Sequence, residues 1–370
     1  MLRIGVNALY LIPGGVGGTE IYLRNLLAAL AEIDAVNQYV VFTNRETGAG
    51  LVPQRANFIH APQAVTARFR PGRILWEQVV LPFEARKHRL DVLFNPGFTA
   101  PLICGCPMVT VFHDLQHKRH PEYFRWFDLP FWNFFLWASV RRSRGLIAVS
   151  EATRDDLQRY YGVSARVIQH GVERQFFEIA KKRAPKDYLL CASTSHPHKN
   201  LVALLRAYEQ AAGLPYLVIT GVRGFAARQV EAAAGNSVKI TGWIPREELY
   251  ELFRGARGFI YPSTFEGFGM PVLEAMAAGV PVACSDIPPL REIAGSTVHY
   301  FDPADQTAIR SALELLAAGK LPTEAAQQRA SEFTWEKTAR ETLDYLTEPR
   351  PQGSVSISRD PQNRGSAPSR

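Results

Sequence analysis

Tyr261-Pro-Ser-Thr-Phe-Glu266-Gly-Phe-Gly-Met-Pro-Val-Leu-Glu274-Ala-Met-Ala-Ala-Gly-Val-Pro281 is the stretch from which the architecture can be worked out. The apolar run Gly258–Tyr261 leads into it as a short strand. Glu266-Gly-Phe-Gly is a loop whose glycines let the backbone approach a ligand closely. Pro271 falls at the start of a helix, where its missing N–H costs nothing, and Gly279 ends that helix. The free amides at and beside Gly269 then form an anion site at a helix N-terminus. Glu266 sits in the loop and Glu274 lies in the helix, so both can face one ligand edge, Glu274 deeper and Glu266 at the mouth. A carboxylate accepts from two hydroxyls at once, which suits the vicinal diol of a ribose or a sugar.

The same alternation extends outward through the chain. Candidate strands in the first half are Leu2–Asn7, Tyr39–Thr43, Asn57–His60, Val92–Asn95, Met108–His113 and Gly145–Ser150, with helical patterns at Thr19–Glu32 and Glu151–Tyr161. A second series runs Tyr188–Ala192, Tyr216–Thr220, Val238–Thr241, Gly258–Tyr261 and Val280–Ser285. Helical patterns at Leu201–Ala212, Arg246–Arg254, Pro271–Ala278 and Ala304–Ala318 separate or follow these strands. This is the signature of an α/β chain with parallel sheets. The basic, proline-ended segment Glu178-Ile-Ala-Lys-Lys-Arg-Ala-Pro185 suits a linker, and each side of it holds enough alternation for one Rossmann-like domain. The expected organisation is a first domain over 1–175, a second over 176–333, a last helix within 334–347 crossing back to the first domain, and a disordered tail over 348–370.

Bulk properties narrow the classes. The chain has 370 residues, 46% hydrophobic and 21% charged, enough for two cores. Its net charge of +7 suits an anionic partner, yet no nucleic-acid-binding module is recognisable, and no nucleic acid is expected. The longest apolar run, Leu129–Val140, is short of the roughly 20 residues that span a bilayer. With no apolar signal core after Met1, a cytoplasmic protein is expected, with peripheral contact at the inner membrane as an option. That option lies in His117-Lys-Arg-His-Pro-Glu-Tyr-Phe-Arg-Trp-Phe127 and Arg141-Arg-Ser-Arg144, where aromatics and cations mix as they do at an anionic membrane surface. A buried aromatic helix is the competing reading. The four cysteines are scattered, as reduced thiols are, and Cys104-Gly-Cys106 lacks a second ligand pair for a metal.

Three further segments follow strands. Thr194-Ser-His-Pro-His-Lys199-Asn200 opens a helix, which Asn200 can cap, and it places Lys199 to neutralise a diphosphate there. Pro13-Gly14-Gly15-Val16-Gly17-Gly18-Thr19-Glu20 follows the first strand, at the sheet end where such folds bind ligands. His113-Asp114 ends another strand.

Glu266 and Glu274 with Gly-Phe-Gly between them resemble the E-x7-E signature of retaining glycosyltransferases with two Rossmann domains, and the second half is similar to family 4 of those enzymes, the bacterial group 1 transferases. The resemblance covers nearly all of residues 1–346 and implies the GT-B architecture, two Rossmann-like domains facing across a cleft. It implies that Glu274 holds the nucleotide ribose and that Glu266 lies beside the donor sugar. The amides of Gly267, Phe268, Gly269 and Met270 would bind sugar hydroxyls and phosphate. Lys199 matches the family's diphosphate lysine, with Thr194 in the same segment. The usual family arginine six residues earlier is replaced by Ser193, and Arg223 in Gly221-Val-Arg-Gly224 is the candidate substitute. Ile244 in Gly242-Trp-Ile-Pro245 matches the residue whose backbone meets the base, while the Trp243 side chain is expected in the core. Gly15, Gly17 and Gly18 match the loop that closes on the donor, and His113 matches the histidine at the reacting carbon. Ser150–Leu157 and His170-Gly-Val172 match segments near the crevice between the domains.

The chain has no Asp-x-Asp triplet, so no metal or other cofactor is expected. The implied reaction moves a sugar with retention onto a glycan or lipid-linked saccharide in cell-surface polysaccharide synthesis. GDP-mannose is favoured over UDP-hexoses as the donor. The competing readings are an inactive nucleotide- or glycan-binding protein of the same fold and a sugar-nucleotide epimerase.

Overall fold

The computed structural model describes residues 1–15 and 17–348, so the expectation for the tail falls almost wholly outside the described residues. Two parallel sheets form, as the alternation predicts. The first contains β1 (Arg3–Asn7), β2 (Gln38–Thr43), β3 (Phe58–Pro62), β4 (Val92–Asn95), β5 (Met108–Phe112), β6 (Gly145–Ala148) and β7 (Arg166–Val167), in the order β3-β2-β1-β4-β5-β6-β7. The second contains β8 (Tyr188–Ala192), β9 (Tyr216–Thr220), β10 (Val238–Gly242), β11 (Gly258–Tyr261), β12 (Val282–Ser285) and β13 (His299–Phe301), in the order β10-β9-β8-β11-β12-β13. Helices cover both faces, so central strands such as Met108–Phe112 are buried along their whole length and read as unbroken apolar runs.

Strand order reverses direction between β1 and β4 in the first sheet and between β8 and β11 in the second. In open parallel sheets the crevice beyond the carboxyl ends at such a reversal is where ligands bind. The two reversals here face each other. The loops after β1, β4, β5 and β6 meet those after β8, β9, β10 and β11 across one cleft.

The junction between the sheets is more ordered than a linker. Arg174–Ala180 is a helix that buries Phe176 and Ile179. The residues after it are tied down by Ala184 N–H to the Arg254 carbonyl and Lys186 N–H to that of Gly255. The basic composition of Glu178–Pro185 suggested an open segment because its apolar partners lie far along the chain. Beyond the second sheet, the helix Trp335–Thr347 packs on the helix Gly18–Ile33 of the first domain. The Tyr345 hydroxyl donates to the Leu146 carbonyl, and that of Thr338 to Gln169. Gly171 lies so close to the backbone of Thr334 and Trp335 that a side chain there has no room. The two strands of chain that cross between the domains therefore run side by side, joined by a bridge between Val172 and Thr334.

The helix Arg70–Lys87 was not anticipated, and Leu129–Arg142 forms the aromatic helix that was the competing reading of its segment. They pack inward through Ile74, Leu81 and Ala85, and through Leu136 and Val140. Both leave large apolar residues outside: Leu75, Val79 and Phe83 on the first, Phe131, Phe134 and Trp137 on the second. Apolar residues on both faces blur the 3.6-residue period that marks an amphipathic helix.

Candidate functional site

The cleft has a volume of about 780 Å³, within the range of small-molecule sites. It gathers most of the residues singled out in the sequence: Gly17, Gly18, His113, Thr194, Lys199, Ile244, Glu266, Gly267, Phe268, Gly269, Met270 and Glu274 all line it. The Glu266–Gly269 loop leads into the helix Met270–Ala277, with Gly269 at φ 110° just before it and Pro271 in the first turn. Gly269 needs that left-handed backbone, and a side chain on it would collide with Leu290.

The two glutamates occupy separate ion pairs. Lys199 Nζ lies 2.6 Å from Glu266 Oε1 and 3.2 Å from the Tyr261 hydroxyl. Burial alone would push the Glu266 carboxyl up, but the adjacent Lys199 ammonium holds it below the usual carboxylate range. Glu266 is therefore charged and enclosed rather than at an open mouth. Eight positions on, Glu274 Oε1 accepts from Arg246 Nη2 at 2.6 Å, and its side chain is 5% exposed. Burial pushes the Glu274 carboxyl up, and the guanidinium offsets only part of that rise.

The first domain contributes a neutral imidazole. His113 Nε2 lies 2.8 Å from the Pro96 carbonyl oxygen, which can only accept, so Nε2 carries the proton and Nδ1 is the acceptor. Burial lowers the ring's pKa to about 4. His170 packs among Tyr22, His113, Phe268 and Trp335 with neither nitrogen hydrogen-bonded, and burial drives its pKa well down. It is a neutral wedge in the seam between the domains. The carbonyl of Gly267 accepts from the Ser150 hydroxyl at 2.6 Å, and Ser150 also caps the helix Glu151–Tyr161 through Thr153 N–H. A Cβ on Gly267 would overlap the His113 carbonyl oxygen. The glutamate loop of the second domain is thus seated directly on the histidine loop of the first.

Residues 172–333 match the family model described as glycosyl transferases group 1, and residues 16–176 match that of glycosyltransferase family 4. The chain belongs to the group 1 glycosyltransferases. It is 29% identical over 262 residues to O-antigen chain mannosyltransferase B of Escherichia coli, covering 64% of this chain and 69% of that protein. It is 26% identical over 327 residues to O-antigen chain mannosyltransferase RfbU of Salmonella typhimurium, covering 84% and 89%. Among solved structures, sucrose-phosphate synthase from Thermosynechococcus elongatus superposes with a TM-score of 0.75 at 18% identity, over 93% of this chain and 98% of that one. Anabaena HepE, solved with UDP and glucose, gives 0.72 at 18% identity, over 94% and 99%. These two likenesses establish the GT-B fold.

In this glycosyltransferase four sequence expectations fail on geometry. Arg223 does not reach the cleft: its guanidinium is largely exposed and pairs with Glu231, with Nη2 at 3.1 Å. The neighbouring Gly224 packs against the Ser195 carbonyl, and the arginine between the two glycines points outward. Gly15 forms a turn, its N–H bonded to the Ile12 carbonyl, and it is Gly14 that lines the cleft. Asn200 does not cap its helix through its side chain; at φ 55° it donates instead to the Pro303 carbonyl. Trp243, expected in the core, is 60% exposed, and its ring lies 3.4 Å from where a Cβ of Gly14 would be. The sequence reading also missed Arg246, Glu173 and Asp114, which line the cleft. Asp114 adjoins the expected His113, whereas Arg246 and Glu173 carry no local signal.

Proposed function

We propose that the enzyme transfers mannose from GDP-mannose, with retention and without a metal ion, onto a lipid-linked saccharide of a growing cell-surface polysaccharide. One observation carries the reading: Lys199, Glu266, Glu274 and His113 converge in one cleft beside the N-terminus of the helix Met270–Ala277. Glu274 accepts the ribose hydroxyls. Lys199 and the amides from Gly267 to Met270 face the diphosphate, whose departure needs fixed positive charge. With that charge supplied by the chain, turnover survives chelator. The donor sugar lies against Glu266 and His113. A ring with a pKa of about 4 is a poor base at neutral pH, so His113 acts as a hydrogen-bond acceptor through Nδ1. The anomeric carbon gains oxocarbenium character as its bond to the diphosphate breaks. The acceptor hydroxyl attacks from the same face, and the leaving phosphate takes its proton.

The mannosyltransferase names of the relatives favour mannose as the sugar and a lipid-linked glycan as acceptor. Thermal unfolding with GDP, UDP, dTDP and ADP in chelator identifies the nucleotide, since binding raises stability by RT ln(1 + [L]/Kd). GDP should stabilise the wild type and not Glu274→Ala, and Lys199→Ala should cut turnover strongly. The anomeric configuration of the product, read by NMR, tests retention. Stabilisation by UDP alone replaces the donor assignment. No stabilisation by any nucleotide favours the non-catalytic binding protein.

The same reading places the enzyme peripherally on the cytoplasmic face of the inner membrane. No helix of the described residues is long and apolar enough to cross a bilayer. Trp126, Phe127, Phe134 and Trp137 are exposed, and the Arg70 guanidinium lies 3.7 Å from the Trp132 ring centroid, joining the two helices that carry exposed apolar side chains. Lys87, Arg141 and Arg142 lie in the last turns of those helices. Apolar faces fringed by cations bind anionic membrane surfaces.

A further inference from the structure

Around the Glu274 carboxylate the structure builds more than a ribose acceptor needs. Arg246, the first residue of the helix Arg246–Gly255, bonds two carboxylates through one nitrogen: Nη2 lies 2.6 Å from Glu274 Oε1 and 2.5 Å from Glu173 Oε1. Glu173 immediately follows Val172, which bridges to Thr334 where the chain crosses between the domains. The Tyr250 hydroxyl donates to the other oxygen of Glu173. The guanidinium also lies over the Phe176 ring, 5.1 Å from its centroid. Arg246 is thus held on three sides, and both it and Glu274 line the cleft.

We propose that Arg246 is a positioning residue for the donor nucleotide, keeping Glu274 ionised and aimed at the ribose while Glu173 anchors the arginine to the interdomain crossover. This rests on Glu274 being the ribose carboxylate. The groups facing Glu274 are Arg246, Glu173 and Tyr261. Tyr261 stays a neutral phenol because burial raises its pKa well above the ordinary value. That leaves one cation between two acids. Take the cation away and Glu274 sits in a buried pocket beside a second carboxylate. Burial and like charge both favour its protonated form, and a protonated carboxyl loses acceptor capacity for the diol. Arg246 therefore acts on ribose recognition through the charge of Glu274 and has no need to touch the nucleotide.

The test is isothermal titration of GDP and UDP, each against its 2′,3′-dideoxy analogue, on the wild-type enzyme, Arg246→Gln and Arg246→Lys, across neutral to alkaline pH. Wild type should prefer the ribonucleotide by about 10- to 100-fold, the worth of hydrogen bonds to a charged group. In Arg246→Gln that preference should collapse at neutral pH and return as pH rises and Glu274 ionises. Arg246→Lys, which keeps the cation, should retain most of it. An equal loss for ribo- and dideoxynucleotides in Arg246→Gln, or an unchanged preference, overturns the positioning role. If either variant unfolds early by circular dichroism, the other still decides, because discrimination is a ratio measured within one protein. Wild type binding neither nucleotide overturns the donor-site reading itself, an outcome distinct from wild-type discrimination that survives in Arg246→Gln.

Discussion

Replacing Gly267 with alanine tests whether the closed seam between the domains is required for turnover. The added Cβ would overlap the His113 carbonyl oxygen, lie 2.8 Å from the carbonyl carbon and approach the Asp114 Cβ to 3.0 Å. Two of these three atoms are backbone, so no rotamer change clears them. Relief comes from moving the Glu266–Gly269 loop or parting the domains, in either case by something on the order of 1 Å. That displacement also breaks the Ser150 hydroxyl bond to the Gly267 carbonyl, now 2.6 Å, worth about 1 kcal/mol net. With overpacking of about 1–3 kcal/mol, the loss falls on the closed arrangement rather than on either domain's core. A misplacement of about 1 Å at a reacting centre costs on the order of 10²-fold in rate. Release of nucleoside diphosphate from the sugar nucleotide should therefore fall about 10²-fold in Gly267→Ala. Nucleotide affinity, which the proposed donor site assigns to Glu274 and Arg246 within the second domain, should change by less than about tenfold. The reasoning fails if turnover stays within threefold of wild type, or if affinity and turnover fall together.

Acid should destabilise the fold over a defined window. His113 and His170 are buried and neutral, the former with its pKa lowered to about 4 and the latter driven well below its ordinary value by burial. Below the ordinary value of 6.5 the unfolded chain takes up protons that the folded chain refuses, so stability falls as pH drops from 6.5 toward 4, by about 1.4 kcal/mol per pH unit for each ring. Urea unfolding at pH 7, 6 and 5 checks this, and His170→Phe should reduce the slope; a flat profile contradicts the burial of both rings. At the membrane surface, co-sedimentation with anionic vesicles should weaken with salt and fall several-fold in Phe134→Ser/Trp137→Ser. Equal binding by that variant removes these aromatics from the contact.

Much of the donor half was legible because its signals are local. Strand, glycine loop, first-turn proline and two glutamates follow one another within Gly258–Gly279, and each constrains its neighbours. What the sequence could not convey are pairings made at long range. Arg246 precedes Glu247 and Glu248 and looks like one charge on a solvated helix face; only the fold brings it to Glu274, twenty-eight residues on. Arg223 misled for the opposite reason. It follows a strand, as phosphate-binding residues do, yet its loop turns it toward Glu231, eight residues along its own surface. Asn200 sits at a helix start, but a capping side chain needs an extended backbone and this residue is left-handed.

The distribution of the site between the domains bears on how such an enzyme avoids hydrolysing its donor. The groups proposed to hold nucleotide and diphosphate belong to the second domain, while His113 reaches the cleft only from the first. A donor could bind the second domain alone, but its anomeric carbon would then face water, which competes with the acceptor for an oxocarbenium-like centre. Polar contacts that join the halves include Ser150 to Gly267 beside the proposed sugar position, Gln116 to His198 at 2.7 Å, and Gln169 to Glu292 at 2.6 Å. Beside these polar contacts, His170 of the first domain packs on Phe268 of the second, so opening the cleft to admit donor and acceptor would break both kinds of contact and closing it would restore them and exclude water. The covalent crossings lie on the far side of His170, where Val172 meets Thr334 and Trp335 stacks on the imidazole. Hinging there, with release of the Ser150–Gly267 bond, would part the domains while Arg246 and Glu274 stay paired.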